Sequence, residues 1–154
     1  MNRNVIKQIK YASKSSVEAI SPGDKNRFWK RVMIVDDDPD ITTTFKIGIE
    51  NANFDTNKII GVQTYNDPRK VLLDFPSNFY DLVLIDINMP YVDGFQLSEA
   101  ILNIDLNVRI CYMSSGEINR DALREVHPSI SLGCFIKKPI TIDRLVDRIK
   151  LELD

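Results

Sequence analysis

The sequence has few of the residues that mark thiol-based metal sites and dithiol redox proteins. Its 154 residues include two cysteines, Cys111 and Cys134, and these form no C-x-x-C pair. Both lie in apolar contexts, so we expect two reduced thiols in the core of a cytoplasmic protein. The single histidine, His127, stands directly before a proline and is expected at the surface or at the end of a helix.

Long apolar runs are also missing. No stretch approaches the ~18–20 apolar residues of a membrane-spanning helix, and the N-terminus has no apolar signal-peptide core. We therefore expect neither a membrane span nor secretion. The length fits one domain, and a chain of this size buries roughly 70% of its unfolded surface without needing covalent or metal cross-links.

Charges of the two signs are unevenly distributed along the chain. Residues 1–31 carry eight Lys/Arg and two Asp/Glu, a net charge of +6, whereas the remaining residues carry twelve against twenty, a net charge of −8. Basic tails can contact nucleic acid, membranes or acidic partners. We interpret residues 1–30 as a basic extension that is partly disordered or helical, and residues 31–154 as the folded domain.

Five short apolar runs predict buried strands, and segments of helical periodicity separate them. Regular alternation of strand and helix predicts an α/β fold with a parallel sheet and helices on both faces. The predicted strands are 31–35, 58–64, 82–85, 108–113 and 134–136. The apolar side chains expected to face the core from the helices are Ile41, Phe45 and Ile49; Val71, Leu72 and Phe75; Leu97, Ile101 and Ile104; Ile118, Ala122 and Val126; and Ile142, Leu145, Val146, Ile149 and Leu153.

Polar residues follow four of the predicted strands. Asp86, at the end of a continuous apolar run, could by itself equally be an acid of a turn. In a parallel sheet, however, all carboxyl ends lie at one edge, where open α/β folds place their chemistry. Clustered carboxylates repel by about 4 kcal/mol at ~4 Å and must bind a cation or hold protons, and hard oxygen ligands favour magnesium over zinc. The converging residues are Asp36, Asp37, Asp86, Ser114 and Lys138.

This combination of motifs resembles the receiver domain of two-component response regulators, in particular the stand-alone receivers of the chemotaxis type. The resemblance covers residues 31–154 and implies a flavodoxin-like, doubly wound, five-stranded parallel sheet of order 2-1-3-4-5 with five helices. Its motifs are Val35-Asp36-Asp37-Asp38-Pro39, Asp86-Ile87-Asn88-Met89-Pro90 with Asp93-Gly94, Ser114-Ser115 and Lys138-Pro139.

The resemblance also implies a role for each strand-end residue. Asp86 corresponds to the aspartate that accepts a phosphoryl group from a histidine kinase. The magnesium ion would be bound by Asp86, by Asp37 directly, by Asp36 through water and by the carbonyl of Asn88.

Three further residues correspond to the parts that contact the phosphoryl group and report its presence. Ser114 would donate a hydrogen bond to the phosphoryl group, and Lys138 would pair with it across a cis Lys138–Pro139 bond. Phe135 occupies the place of the aromatic residue that changes position with phosphorylation, although it fits an ordinary core aromatic equally well.

A receiver of this kind implies protein partners rather than substrates. The donor would be a histidine kinase or a phosphotransfer protein, and catalysis would be limited to the chain's own magnesium-dependent phosphorylation and dephosphorylation. We expect no DNA-binding domain, so the signal would pass through protein contacts to a downstream partner. A homodimer through the last two helices and the fifth strand is also expected from the resemblance.

Two other classes of protein share parts of this pattern. A metal-dependent phosphatase with an aspartyl nucleophile typically has a second acid two residues after the first, where this chain has Asn88. A flavodoxin-like cofactor binder would need a glycine-rich phosphate loop after the first strand, where this chain has acids. Both alternatives are therefore less favoured than the receiver.

Overall fold

The protein is described from a computed structural model, over residues 28–54, 58–128 and 133–154. The expected properties of the basic extension therefore fall almost entirely outside the described residues. Within them, no helix is long and apolar enough to cross a membrane. The elements are β1 (Phe28–Val35), α1 (Pro39–Glu50), β2 (Lys58–Tyr65), α2 (Pro68–Asp74), β3 (Leu82–Asp86), α3 (Gly94–Ile104), β4 (Arg109–Ser114), α4 (Arg120–Val126), β5 (Phe135–Lys137) and α5 (Ile142–Leu153).

The five strands form one sheet of order β2-β1-β3-β4-β5, and every neighbouring pair is parallel. The predicted fold class and strand order are thereby confirmed. β3 lies at the centre, and all five of its residues are buried. Burial on both faces explains why its sequence is a continuous apolar run rather than an alternating one.

Two apolar layers cover the faces of the sheet. One contains Val32 and Ile34 of β1, packed with residues of α1 and α5 such as Ile49 and Leu145. The other contains the intervening residues of β1 and residues of α2 and α3 such as Leu97. Alternate residues of one strand point to opposite faces, so each strand contributes side chains to both layers. The sheet is thereby packed against helices on both faces.

The helix faces depart from the prediction mainly in α4, which has seven residues and none that is buried. Val126 is 70% exposed and Ala122 is also exposed, and α4 contacts the body through Leu123 instead. Leu72 and Ile104 are exposed as well. Val71 and Phe75 take the buried face at α2 in place of Leu72, and Ile104 is the last residue of α3.

The expectation of two free thiols is wrong in this structure, which pairs Cys111 with Cys134 as a disulfide. Both residues are buried, as expected. Their Cα atoms lie 4.6 Å apart, within the range for bridged cysteines. The reason is the β4–β5 register, since Tyr112 is opposite Phe135 and the preceding residues therefore face each other across the two strands. Twenty-three residues of sequence separation conceal this proximity.

Candidate functional site

The end of β1 places two aspartates at the carboxyl edge of the sheet. Asp36 is 1% exposed, and its backbone carbonyl accepts a 2.8 Å hydrogen bond from Asn66 Nδ2. Its carboxylate accepts a 3.0 Å bond from the backbone N–H of Asp38. Asp38 in turn caps α1 by accepting from the Asp40 N–H, whereas Asp37 is exposed. The turn into α1 therefore fixes Asp36 and leaves Asp37 at the mouth of the site.

The end of β3 places Asp86 beside these acids. Asp86 is 5% exposed, and the β3–α3 loop, residues 87–93, folds back directly after it. The loop closes through a 2.9 Å bond from Gly94 N to Ile87 O. A Cβ atom at Gly94 would lie 2.5 Å from the carbonyl oxygen of Asp86, so the close return of the chain requires glycine here.

Lys138 connects the two buried carboxylates. Its Nζ lies 2.8 Å from Asp36 Oδ2 and 2.8 Å from Asp86 Oδ1. The Lys138–Pro139 peptide bond is cis, as the resemblance implies, and the Lys138 N–H donates to Ser114 O at 2.8 Å. Burial alone would lower the pKa of Lys138, but its hydrogen bonds to Asp36 and Asp86 outweigh burial and raise the pKa. The side chain is therefore a fixed ammonium between two acids.

The three acids form a cluster suited to a divalent cation. Asp36, Asp37 and Asp86 each offer a carboxylate oxygen, and these oxygens lie within 4.8 Å of one another. Burial raises the pKa of Asp86, opposed by the hydrogen bond from Lys138, and the charge of Asp36 raises it further. One ammonium does not balance three carboxylates, and the donors are all hard oxygens, so their chemistry fits magnesium or a similar ion.

The remaining predicted residues surround this cluster. Ser114 is 4% exposed and its hydroxyl accepts a 3.1 Å bond from Gly116 N. Asn88 lies in the β3–α3 loop with an exposed side chain. Phe135 is half-buried, with its ring centroid 5.4 Å from that of Tyr112 and 5.2 Å from the guanidinium carbon of Arg120. All the predicted residues are therefore at the carboxyl edge, with Phe135 behind it.

Several contacts that support the site were not found from the sequence. Tyr112 is fully buried and donates a 2.7 Å hydrogen bond to Ser98. The ring of His127 stacks on Phe95, and its Nδ1 lies 2.9 Å from Glu99 Oε1. These pairs join α3 to β4 and to the end of α4. Ser98 could have been flagged as a polar residue on the apolar face of α3, but its partner Tyr112 could not.

Comparison with known proteins identifies the family and agrees with the fold. The family model of the response regulator receiver domain matches residues 32–150, so the chain belongs to that family and is a receiver domain of two-component systems. Among curated proteins, the transcriptional regulatory protein PrrA of Mycobacterium tuberculosis is 29% identical over 78% of this chain and 48% of its own length. The chain thus spans about half the length of that relative.

Two further likenesses differ in how much of the chain they cover. The CAI-1 autoinducer sensor kinase/phosphatase CqsS of Vibrio cholerae is 31% identical over 97% of this chain and 19% of its own length. Among solved structures, the CheY-like receiver domain protein of Methanospirillum hungatei superposes with a TM-score of 0.68 at 23% identity, over 82% of this chain and 95% of that one. The structural likeness supports the flavodoxin-like fold.

Proposed function

We propose that the chain is a phospho-acceptor switch in which Asp86 takes a phosphoryl group from a histidine. The observation that carries this proposal is the position of Lys138, whose ammonium lies 2.8 Å from both Asp36 and Asp86 while Asp37 adds an exposed carboxylate. The arrangement therefore brings together the Asp86 carboxylate, the Lys138 ammonium and the Asp37 carboxylate, which would bind a metal ion.

Magnesium would be held by Asp37, Asp86 and the carbonyl of Asn88, with Asp36 acting through water. When bound, it would neutralise charge on the phosphoryl group during transfer. The chain's own residues supply the rest. Lys138 would place its ammonium against a phosphoryl oxygen, since its Nζ already lies 2.8 Å from Oδ1 of Asp86. Transfer of this kind depends mainly on positioning and electrostatic stabilisation.

Readout of the phosphoryl group would begin at Ser114. Its hydroxyl now accepts from the Gly116 N–H, and this acceptor role leaves its proton free to bond a phosphoryl oxygen. A shift of Ser114 would move residues 115–117, and Phe135 on the neighbouring strand would change its packing on Tyr112. Two hydrogen bonds to a charged group, each worth about 1.5–3 kcal/mol, are enough to bias such a two-state element.

The partners we propose follow from the family. The donor would be a histidine kinase or a phosphotransfer protein. This agrees with the name of the sensor kinase/phosphatase to which 97% of this chain is similar. A cytoplasmic location fits such a donor. We further propose a downstream protein partner and a homodimer through α4, β5 and α5.

The phosphatase alternative gains no support from the comparisons. Its general acid would stand two residues after Asp86, where the chain has Asn88, which cannot donate a proton as an acid does. Turnover of an aryl phosphate by the purified chain would be needed to revive this alternative.

Incubation with acetyl phosphate or phosphoramidate, with and without Mg²⁺, followed by intact-mass measurement tests the proposal. The wild type should gain one phosphoryl group only with Mg²⁺, and Asp86→Asn should gain none. Asp38→Asn is the matched control, because asparagine keeps the helix cap and removes a charge from the same loop. Phosphorylation of Asp86→Asn at an aspartate would refute the assignment.

A further inference from the structure

The apex of the β3–α3 loop has an unusual backbone conformation. Tyr91 has φ of 71°, and the N–H of Val92 donates to Pro90 O at 2.9 Å. This φ together with a bond that spans two residues corresponds to the rare γ-turn of positive φ, which is strained for a residue with a side chain. The Tyr91 side chain is 74% exposed, so burial of its ring does not explain why the conformation is kept.

The base of the same loop is fixed independently. Gly94 N donates to Ile87 O at 2.9 Å, and Asp93 and Gln96 form a reciprocal capping box at the start of α3. The strained apex therefore stands three residues after Asn88, whose carbonyl is the metal ligand proposed above. A change in the backbone conformation of Tyr91 can therefore alter the position of the Asn88 carbonyl, because only two residues separate them.

A contact from α2 holds the apex. The guanidinium carbon of Arg69 lies 3.7 Å from the ring centroid of Tyr91. Arg69 is itself oriented by Asp67, with Nε 3.0 Å from Oδ1 and Nη2 2.9 Å from Oδ2. Asp67 also caps α2 by accepting from the Arg69 N–H at 3.0 Å. The planar fork between Asp67 and Arg69 presents the flat face of the guanidinium to the ring.

We propose that Asp67, Arg69 and Tyr91 form a loop clamp that positions the β3–α3 loop for binding of a divalent cation. They are positioning residues, since they act on the metal through the Asn88 carbonyl and contact neither the metal nor the phosphoryl group. The inference rests on the proposed function. It predicts that the chain uses a surface contact between α2 and the loop to set its metal affinity.

The expected size follows from the contact that is lost. A cation–π pair at an exposed site contributes about 0.5–1 kcal/mol, which corresponds to a two- to fivefold change in affinity. Arg69→Ala and Tyr91→Ala should therefore each weaken Mg²⁺ binding by about two- to fivefold, and the double variant should be no weaker than either one. Tyr91→Phe keeps the ring and should bind as the wild type does. Tyr91→Gly removes both the ring and the backbone strain, and it should still bind Mg²⁺ more weakly than the wild type does.

The matched control is Lys70→Ala, which removes an exposed positive charge next to Arg69 without touching Tyr91. Asp67→Asn serves as a second probe, because asparagine retains the cap but not the fork to Arg69. Mg²⁺ affinity by titration calorimetry is the measurement, and a thermal melt checks folding. Equal affinity in Arg69→Ala and Lys70→Ala would overturn the clamp, as would additive losses in the double variant.

Failure of the clamp can be told apart from failure of the proposed function. If the wild type binds no Mg²⁺, the proposed metal site is refuted. Whether the clamp positions the loop is then tested on the protein without metal. Backbone amide shifts of residues 87–93 should then move in Arg69→Ala and not in Lys70→Ala. Unchanged shifts in Arg69→Ala would show that Arg69 does not position the loop.

Discussion

The Nζ of Lys138 lies 2.8 Å from Oδ1 of Asp86, the carboxylate at the end of the central strand. The two residues are separated by more than fifty positions in sequence, and β4 lies between the strands that precede them. Such a pair is expensive to bury unless further groups satisfy both charges. Asp36 shares the same ammonium, so a single positive charge serves two buried carboxylates and the cluster keeps an excess of negative charge that a cation would neutralise.

Removal of the Lys138 ammonium should lower the stability of the protein, because the clustered acids repel one another. Lys138→Ala leaves Asp36 and Asp86 without their shared partner, and breaking a buried pair in this way costs about 3–5 kcal/mol. Added Mg²⁺ should restore more stability to the variant than to the wild type, because the cation replaces the lost positive charge. Urea unfolding with and without Mg²⁺ measures both effects. An equal increment from Mg²⁺ in the two proteins would contradict the account of the cluster.

Asp37 should contribute to metal affinity more than to folding. It is the exposed member of the cluster, and Asp37→Ala should weaken Mg²⁺ binding by at least about tenfold, since unit charges about 4 Å apart interact by several kcal/mol at an effective dielectric near 20. The same change relieves repulsion with the neighbouring acids and should leave the metal-free protein as stable or more stable. Calorimetry and unfolding measure the two effects, with the exposed Asp40→Asn as control. Unchanged affinity would remove Asp37 from the metal shell.

The position of these acids could be predicted from the sequence, whereas the contacts between them could not. Asp36, Asp86 and Ser114 each follow an apolar run, and the parallel sheet inferred from strand–helix alternation brings such ends together. The reach of Lys138 to two acids depends on where the three-residue β5 lies, which periodicity does not indicate. The fold was predictable because strand and helix periods recur five times along the chain.

Long-range pairs were missed for the same reason. The disulfide between Cys111 and Cys134 and the stacking of Arg69 on Tyr91 both join segments about twenty residues apart. Each residue has an ordinary interpretation in its own segment. The exposure of Val126 was also missed, because an apolar residue at helical spacing predicts a buried face only when the helix packs along its whole length.

Ser114 should couple the phosphoryl group to the face formed by α4, β5 and α5. Ser114→Ala should still accept the phosphoryl group but respond less, because the hydroxyl bond that draws the strand end inward is lost. Backbone amide shifts of residues 118–128 and 133–154, with and without beryllofluoride as a phosphoryl mimic, measure the response. If the variant matches the wild type, the hydroxyl is not the coupling group. If the wild type shows no shifts away from the site, the switch proposal fails.

Tyr112 should make stability sensitive to high pH. Burial raises the pKa of Tyr112 to about 12, partly opposed by its bond to Ser98, against about 10 in an unfolded chain. The unfolded form therefore ionises first, and the stabilisation present below pH ~10 is lost as the pH rises toward 12. Tyr112→Phe should cost about 1 kcal/mol at neutral pH and lose less stability between pH 9 and 11. Urea unfolding at both pH values is the measurement, with the exposed Tyr91→Phe as control. A Tyr112→Phe loss equal to that of the wild type would contradict this assignment.

The identity of the phosphorylated residue is the most direct test of the account. After reaction with phosphoramidate and Mg²⁺, borohydride reduces an aspartyl phosphate to homoserine, and peptide mass spectrometry then locates the altered position. The account predicts homoserine at position 86 in the wild type and at no position in Asp86→Asn. Homoserine at position 36 or 37 in the wild type, or anywhere in the Asp86→Asn protein, would contradict it.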